Sequence, residues 1–287
     1  MNNLIRPAHR SRARVYGGVL LALTLLAYGA LRYAALDMET SQLAREWAVP
    51  ITDEGETLMT FQRGEVDGQP IVFVHGTPGA ADNWTHFLEQ PRSGYRVIAV
   101  DRPGFGASTP MTGLPAIAEQ AQALKPLLES LRGQQPILVG HSLGAPIVAQ
   151  AAADFPELVG AIVLVAGSLS PSVETIYTIQ YVGDLPGVRK LLPRPLRNSN
   201  HELVPLRHGL ERLAPRLADI ACPVSIVHGT EDMLVPFENV DFMKAHFSAE
   251  VIHEIVVLDG ENHFLPWTAQ DAIWTAVESL EIPPVAP

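Results

Sequence analysis

Short apolar runs alternate with longer amphipathic stretches along most of the chain. Six short runs are predominantly apolar and rich in Val, Ile and Leu, which is typical of parallel strands buried on both faces; they cover residues 71–74, 95–100, 137–139, 161–165, 224–227 and 255–258. Stretches of helical length and spacing lie between them, at 116–132, 146–154, 237–247 and 268–280. Two weaker runs, 48–52 and 57–63, flank the turn signal Asp53-Glu54-Gly55 and predict an antiparallel hairpin. This order predicts an α/β protein with a doubly wound, mostly parallel sheet.

The alternation stops for about fifty residues, between positions 168 and 218. A structureless loop of that length is uncommon in a compact domain, so we predict a small helical cap insertion with short helices of its own. Its prolines are expected to divide it; they are Pro171, Pro186, Pro193, Pro195, Pro205 and Pro215. We expect its apolar residues to cover a pocket and the insertion to affect substrate preference more than overall stability. Its arginines are expected to face water, with a role in binding as the alternative.

The first 36 residues have a different character from the rest. Residues 15–31 carry no charge, four arginines precede them and Arg32 follows. This pattern predicts a targeting or transmembrane segment at 1–36 and a single α/β domain at 37–287. The basic flank favours a cytoplasmic N-terminus, so the domain is expected to be membrane-anchored and extracytoplasmic. The alternative is cleavage before Ala30, which would give a secreted or periplasmic protein.

Composition narrows the classes of partner. Hydrophobic residues make up 47% of the chain, enough for a substantial core, and the net charge is −11 although residues 1–14 hold four arginines and no acid. The body is therefore acidic and has no basic stripe interleaved with aromatic residues, which argues against a nucleic-acid partner. The single cysteine, Cys222, excludes an intrachain disulfide and a cysteine-based metal site.

The strongest motif is Gly140-His141-Ser142-Leu143-Gly144, which follows a predicted strand and precedes an alanine-rich helix. A serine on a tight strand-to-helix turn adopts a strained backbone, and its close neighbours must be glycine. The positive end of the helix dipole then lies at the serine, where it stabilises a developing oxyanion. The strand and helix favour a nucleophile elbow over an ordinary βα turn.

Together with this elbow, three further features give the chain a family resemblance. They are the stretch His75-Gly76-Thr77-Pro78-Gly79, the stretch Asp101-Arg102-Pro103-Gly104, and an Asp and a His after later strands. Over residues 48–282 the chain resembles the α/β-hydrolase fold family, in particular its serine-nucleophile, esterase- and lipase-like members. In that family the order is serine, acid, histidine, and each lies at the C-terminal end of a strand.

The resemblance implies a catalytic triad of Ser142, Asp232 and His263. Asp232 is favoured over its neighbour Glu231 as the acid by its place in the loop after strand 224–227. His263 is the histidine with the strand, loop and chain order of the base, and His228, His246 and His253 are interpreted as scaffold or surface residues. The resemblance also implies an oxyanion hole made by the backbone N–H groups of Thr77 and Leu143.

Two other polar stretches are interpreted as structural. We expect a buried, hydrogen-bonded His75 in a tight turn, and an ion pair or loop brace at Asp101-Arg102.

The predicted function is hydrolysis of an ester or similar acyl bond in a small, fairly apolar substrate. Carbon–carbon bond hydrolases, peptidases and perhydrolases share the triad, and a receptor that keeps the pocket without turnover is the alternative from another class. Ser142 disfavours the haloalkane dehalogenases and epoxide hydrolases of this fold, which use an aspartate nucleophile. No cofactor and no metal are predicted, because the sequence has no phosphate-binding glycine loop and no cluster of metal ligands. The oligomeric state is left open.

Overall fold

The structure is a computed structural model that describes residues 45–174 and 178–282. In this part of the chain one sheet has the strand order β1-β2-β4-β3-β5-β6-β7-β8. The strands are β1 (Arg45–Pro50), β2 (Thr57–Gly64), β3 (Gln69–Val74), β4 (Tyr95–Val100), β5 (Ile137–His141), β6 (Ala161–Val165), β7 (Val224–Gly229) and β8 (Ile252–Leu258). Strands β3 to β8 are parallel to one another, and β2 pairs antiparallel with β1 and β4.

The helices lie between the parallel strands, as the alternation predicts. They are α1 (Thr85–Glu89), α2 (Ile117–Ser130), α3 (Gly144–Asp154), α4 (Thr178–Asp184), α5 (Pro186–Arg189), α6 (Arg194–Leu213), α7 (Glu238–His246), α8 (Leu265–Thr268) and α9 (Gln270–Glu278). The predicted fold class is confirmed. The helix predicted at 268–280 is two helices, since Ala269 has φ −136° and interrupts it. The short helix α1 was not predicted.

The two faces of the sheet are covered by separate apolar clusters, which explains why the strands are continuously apolar. Val72 and Val74 of β3 pack with helices α2 and α3, whereas Ile71 and Phe73 point the other way. Phe73 lies against the ring of Trp84, with 4.8 Å between ring centroids. Because side chains alternate along a strand, neighbouring residues of the same strand contribute to the two different cores.

The insertion between β6 and β7 is helical, but its longest helix contradicts the expected division by proline. Helix α6 runs for 20 residues and contains Pro205 in its interior. Proline removes one helical hydrogen bond. The burial of Leu206, Leu210 and Leu213 in the main core offsets that loss.

The expectation that the insertion's arginines face water is wrong for three of them. Arg194 and Arg207 are half-buried and donate to backbone carbonyl groups, and Arg216 pairs with Asp154 of α3. These arginines attach the insertion to the body of the molecule.

Within the described ranges no helix is long and apolar enough to cross a membrane. The segment 1–36, on which the predicted anchor and extracytoplasmic location rest, lies outside those ranges. The division of the chain at residue 36 stays a prediction.

Candidate active site

Ser142 lies on the sharp turn between β5 and α3. Its φ is +54°, a left-handed conformation that residues with a side chain rarely adopt. The surrounding glycines leave the necessary room: a Cβ on Gly76 would lie 2.8 Å from Ser142 Cβ, and one on Gly144 would lie 2.3 Å from the carbonyl oxygen of Val74. The local geometry is that of a nucleophile elbow.

Asp232 and His263, predicted as acid and base, come together although 31 residues separate them. His263 Nδ1–H donates to Asp232 Oδ2 at 2.7 Å, and each residue is 6% exposed. The other oxygen, Oδ1, accepts from the N–H groups of Leu234 and Val235 at 2.9 and 2.8 Å. The neighbour Glu231 is exposed. The structure therefore pairs His263 with Asp232, the residue favoured over Glu231.

The hydrogen bonds to Asp232 keep its carboxylate ionised. Burial acts to raise the pKa of Asp232, but the hydrogen bond and charge of His263 and the Val235 N–H outweigh it, and the pKa falls below 3.8. An ionised carboxylate fixes the tautomer of the imidazole, with the proton on Nδ1 and Nε2 free to accept one.

Two further histidines lie next to this pair, and no motif in the sequence assigned them a functional role. His141 Nε2–H donates to the carbonyl oxygen of His263 at 3.0 Å, and the two ring centroids are 4.8 Å apart. Burial, and then the nearby His263, lower the pKa of His141 to about 3, so His141 is neutral near pH 7. His228, interpreted as scaffold or surface, is fully buried and donates from Nε2 to the carbonyl oxygen of Val235 at 2.9 Å. His141 thus supports the base and His228 the loop of the acid.

The predicted oxyanion donors, the backbone N–H groups of Thr77 and Leu143, lie at the same strand ends. Leu143 immediately precedes α3, and both residues line the cavity that contains Ser142. Among the described residues, neither N–H group donates a hydrogen bond to the protein. Both are therefore free to donate to a bound molecule.

Arg102 holds the strand end next to Thr77. It donates from Nη2 to the carbonyl oxygen of Gly76 at 2.7 Å and from Nε to that of His75 at 3.0 Å. The same guanidinium pairs with Glu202 of α6 at 2.6 Å, and both side chains are 1% exposed. This buried ion pair joins the insertion to the predicted oxyanion loop. It extends the expected loop brace at Asp101-Arg102, because the partner Glu202 comes from the insertion.

His75 is buried and hydrogen-bonded, as expected. Its Nδ1–H donates to the Gly76 carbonyl at 2.7 Å and its Nε2 accepts the Arg102 backbone N–H at 3.1 Å. Burial, with the charge of Arg102, holds the pKa of His75 well below 6.5.

A cavity of about 320 Å³ opens at these strand ends. Ser142, His263, Thr77 and Leu143 line it together with a largely apolar wall, formed by Val173, Leu203, Leu206, Met233, Leu234, Val235 and Pro236. Its other polar lining residues are Ser168, Glu174 and Gln180, and no lysine or arginine of the described residues lines it. In the same part of the chain no group of three or more His, Cys, Asp or Glu is placed to hold a metal ion.

Comparison with known proteins agrees with this architecture. A family model described as alpha/beta hydrolase fold matches residues 69–200. The pimeloyl-[acyl-carrier protein] methyl ester esterase of Aeromonas hydrophila subsp. hydrophila is 28% identical, over 68% of this chain and 89% of that protein. A 2-hydroxy-6-oxononadienedioate/2-hydroxy-6-oxononatrienedioate hydrolase of Pseudomonas sp is 29% identical, over 41% of this chain and 47% of that protein.

The solved structures are similar in fold. A bacterial membrane phospholipase A aligns with a TM-score of 0.61 at 20% identity, over 93% of this chain and 95% of that one. The chain spans about half the length, 43% and 47%, of the curated relatives that it matches first. The family model, the relatives and the solved structures together show that this chain has the α/β-hydrolase fold.

Proposed function

We propose that this protein is a serine hydrolase that cleaves an ester or similar acyl bond of a small substrate. The observation that carries the proposal is that His263, hydrogen-bonded to Asp232, lines the same cavity as Ser142. A strained serine, an oriented imidazole and two backbone donors that no described residue occupies are the parts that acyl transfer requires.

The proposed reaction begins when Ser142 Oγ attacks the acyl carbon while His263 Nε2 takes the hydroxyl proton. The negative charge that develops on the carbonyl oxygen is stabilised by the N–H groups of Thr77 and Leu143. His263 then gives its proton to the departing alcohol, which leaves an acyl-enzyme on Ser142. Water, activated by His263, releases the acid and restores the serine. Asp232 stabilises the imidazolium in both halves of the cycle.

Carbon–carbon bond hydrolysis is the second candidate, because the Pseudomonas relative is named as the hydrolase of a dienedioate, a dicarboxylate. The cavity favours an ester instead. Its lining contains the acidic Glu174 and no lysine or arginine among the described residues, so a second carboxylate on the substrate would find no cationic partner. The methyl ester esterase, which aligns over more of its own length, gives further support to the ester reading.

A fluorophosphonate probe with mass spectrometry tests the proposal directly. We expect rapid labelling of Ser142 and loss of labelling in Ser142→Ala and His263→Ala. Both variants should lose about 10³-fold or more in the turnover of p-nitrophenyl butyrate, because the members of a triad act as a unit. Asp232→Asn should retain more activity. Near-wild-type turnover in His263→Ala would refute the assignment of the base, and no labelling in the wild-type protein would favour a ligand-binding receptor.

The cellular location is a separate proposal from the sequence. We propose that residues 1–36 anchor the chain with the hydrolase domain outside the cytoplasm. Membrane fractionation with N-terminal sequencing tests it: a soluble exported product that starts near Ala30 would identify a signal peptide, and an intact cytosolic chain would contradict both versions.

A further inference from the structure

Glu174 is a carboxylate in a cavity whose wall is otherwise largely apolar. It lies early in the insertion, half-buried, and its Oε2 accepts the hydroxyl hydrogen of Ser168 at 3.0 Å. Burial raises the pKa of Glu174, while Ser168 and the charge of Arg207 act in the opposite direction. Placing a carboxylate in a half-buried, largely apolar wall costs solvation free energy. A functional role would explain why the cavity contains one.

The backbone around Ser168 is held firmly. The N–H groups of Leu169 and Ser170 both donate to Asn239 Oδ1, at 2.9 and 2.8 Å. Arg207 donates to the backbone carbonyl oxygen of Glu174 itself. These contacts hold the backbone at both ends of residues 168–174, and so they fix the position of the Glu174 carboxylate in the cavity.

Two hydrogen bonds of Ser168 connect Glu174 to the proposed nucleophile, Ser142. The Ser168 N–H donates to the carbonyl oxygen of Ser142 at 3.3 Å, and the Ser168 hydroxyl donates to Glu174. Among the described residues, Glu174 has no hydrogen bond with Ser142 or His263, and Asp232 already orients the imidazole. Glu174 is thus suited to bind a substrate group and not to orient the imidazole.

We propose that Glu174, held by Ser168, binds a hydroxyl or ammonium group of the substrate and so selects acyl substrates with an electropositive group near the scissile bond. This inference rests on the proposed function and adds a substrate class to it. An ionised carboxylate accepts strong hydrogen bonds from hydroxyl groups and attracts cations. The apolar wall would contact the remaining carbon atoms of the same substrate.

Matched esters test the selection. Glycerol 1-monobutyrate and propyl 3-hydroxybutyrate carry hydroxyl groups that propyl butyrate lacks, on the alcohol and acyl sides. Butyrylcholine carries a cation that 3,3-dimethylbutyl butyrate replaces with a neutral group of the same shape. Turnover is followed in a pH-stat for the wild-type protein, Glu174→Gln, Glu174→Leu and the control Glu211→Gln, which changes an exposed acid of α6.

In at least one pair, kcat/KM for the hydroxyl or cationic ester should exceed that of its partner by about tenfold or more in the wild-type protein. Glu174→Leu should bring that ratio close to one. Glu174→Gln should keep a preference for a hydroxyl group, since the amide oxygen still accepts, but lose a preference for the cation. Glu211→Gln should leave every ratio unchanged. Ratios that Glu174→Leu does not change would overturn the inference, and so would a preference in every pair for the ester that lacks the hydroxyl or cationic group.

A second readout separates this inference from the proposed function. The same esters are titrated into Ser142→Ala and into Ser142→Ala/Glu174→Leu by calorimetry. Binding ratios that depend on Glu174 without turnover in the wild-type protein would refute the hydrolase and retain the selective site. Turnover in the wild-type protein with binding ratios that do not depend on Glu174 would retain the hydrolase and refute the selective site.

Discussion

The two parts of the insertion differ sharply in how they contact the rest of the molecule. Helix α6 buries Leu210 and Leu213, which are 0% and 1% exposed, in the same cluster as α2 and α3. Helix α5 has no buried residue, and Tyr181 of α4 and Leu191 after α5 are 55% and 85% exposed. One insertion thus contains a helix that belongs to the core and a pair of helices that lies on the surface.

The difference shows that a cap defined by its place in the sequence need not be one physical unit. Replacement of all residues 168–218 would remove core leucines and leave Arg102 without Glu202. The expectation that the cap affects substrate preference more than overall stability is therefore kept for residues 178–189 and not for α6.

The largest effect should come from the buried ion pair of α6. Glu202→Leu leaves the Arg102 guanidinium buried without its counter-ion and should lower the free energy of unfolding by about 3–5 kcal/mol. Arg102→Met should cost a similar amount. The double variant should cost clearly less than the sum of the two, because no unpaired charge remains.

Urea unfolding of the four proteins measures this cycle. Additive losses would mean that the pair does not hold α6 to the body. Because Arg102 also holds the Gly76 carbonyl, kcat for p-nitrophenyl butyrate should fall in Arg102→Met more than in a variant that is equally destabilised elsewhere.

A second comparison uses leucines from the two parts. Leu210→Ala should destabilise the protein by about 2–5 kcal/mol, since it opens a cavity in the core. Leu191→Ala, at an exposed position, should change the free energy of unfolding by less than about 0.5 kcal/mol. Equal effects in urea unfolding would show that α6 and the surface helices are not distinct.

Acid should lower the stability of the body of the molecule, and α6, which shares its core, should unfold with it. Burial lowers the pKa of His75, His141 and His228 below 6.5, so the unfolded chain binds more protons than the folded one at acidic pH. Stability should therefore fall as the pH drops below about 6.5, by up to about 4 kcal/mol per pH unit while all three remain neutral in the folded state. Residues 178–189 contain no histidine.

The variant His141→Gln isolates one of these protons. The glutamine amide keeps a donor for the His263 carbonyl but does not titrate. The slope of the unfolding free energy against pH, between pH 6.5 and the His141 pKa of about 3, should therefore shrink by about 1.4 kcal/mol per pH unit. Leu191→Ala, at an exposed position without a titratable group, is the control and should leave the slope unchanged. Urea unfolding at several pH values measures it; an unchanged slope in His141→Gln would show that His141 protonates in the folded state.

The sequence predicted the features that depend on neighbours in the chain. The elbow, its glycines and the strands before Asp232 and His263 are local patterns, and the loop order brings acid and base to one edge of the sheet. The continuous apolar strands likewise predicted a sheet covered on both faces.

What sequence reasoning missed depends on contacts between distant residues. Arg102 and Glu202 are 100 positions apart, and nothing in either neighbourhood marks the other as a partner. Pro205 predicted a break, because local propensity does not include the free energy that leucine burial adds to α6. Nothing in the sequence singled out Glu174, because its place in the cavity follows from how its segment folds.

The smallest effect on stability is expected from the surface helices. Gln180 of α4 lines the cavity, and the large hydrophobic residues that follow it in the chain, Tyr181, Val182 and Leu185, are exposed. The triple change of these residues to Ser should alter the free energy of unfolding by less than about 0.5 kcal/mol per site. It should still lower kcat/KM for p-nitrophenyl decanoate relative to the butyrate, because the longer acyl chain needs apolar surface beyond the cavity. The ratio of the two rates and urea unfolding measure both parts. A large loss of stability with an unchanged ratio would mean that α4 and α5 belong to the core, as α6 does, and do not lie on the surface.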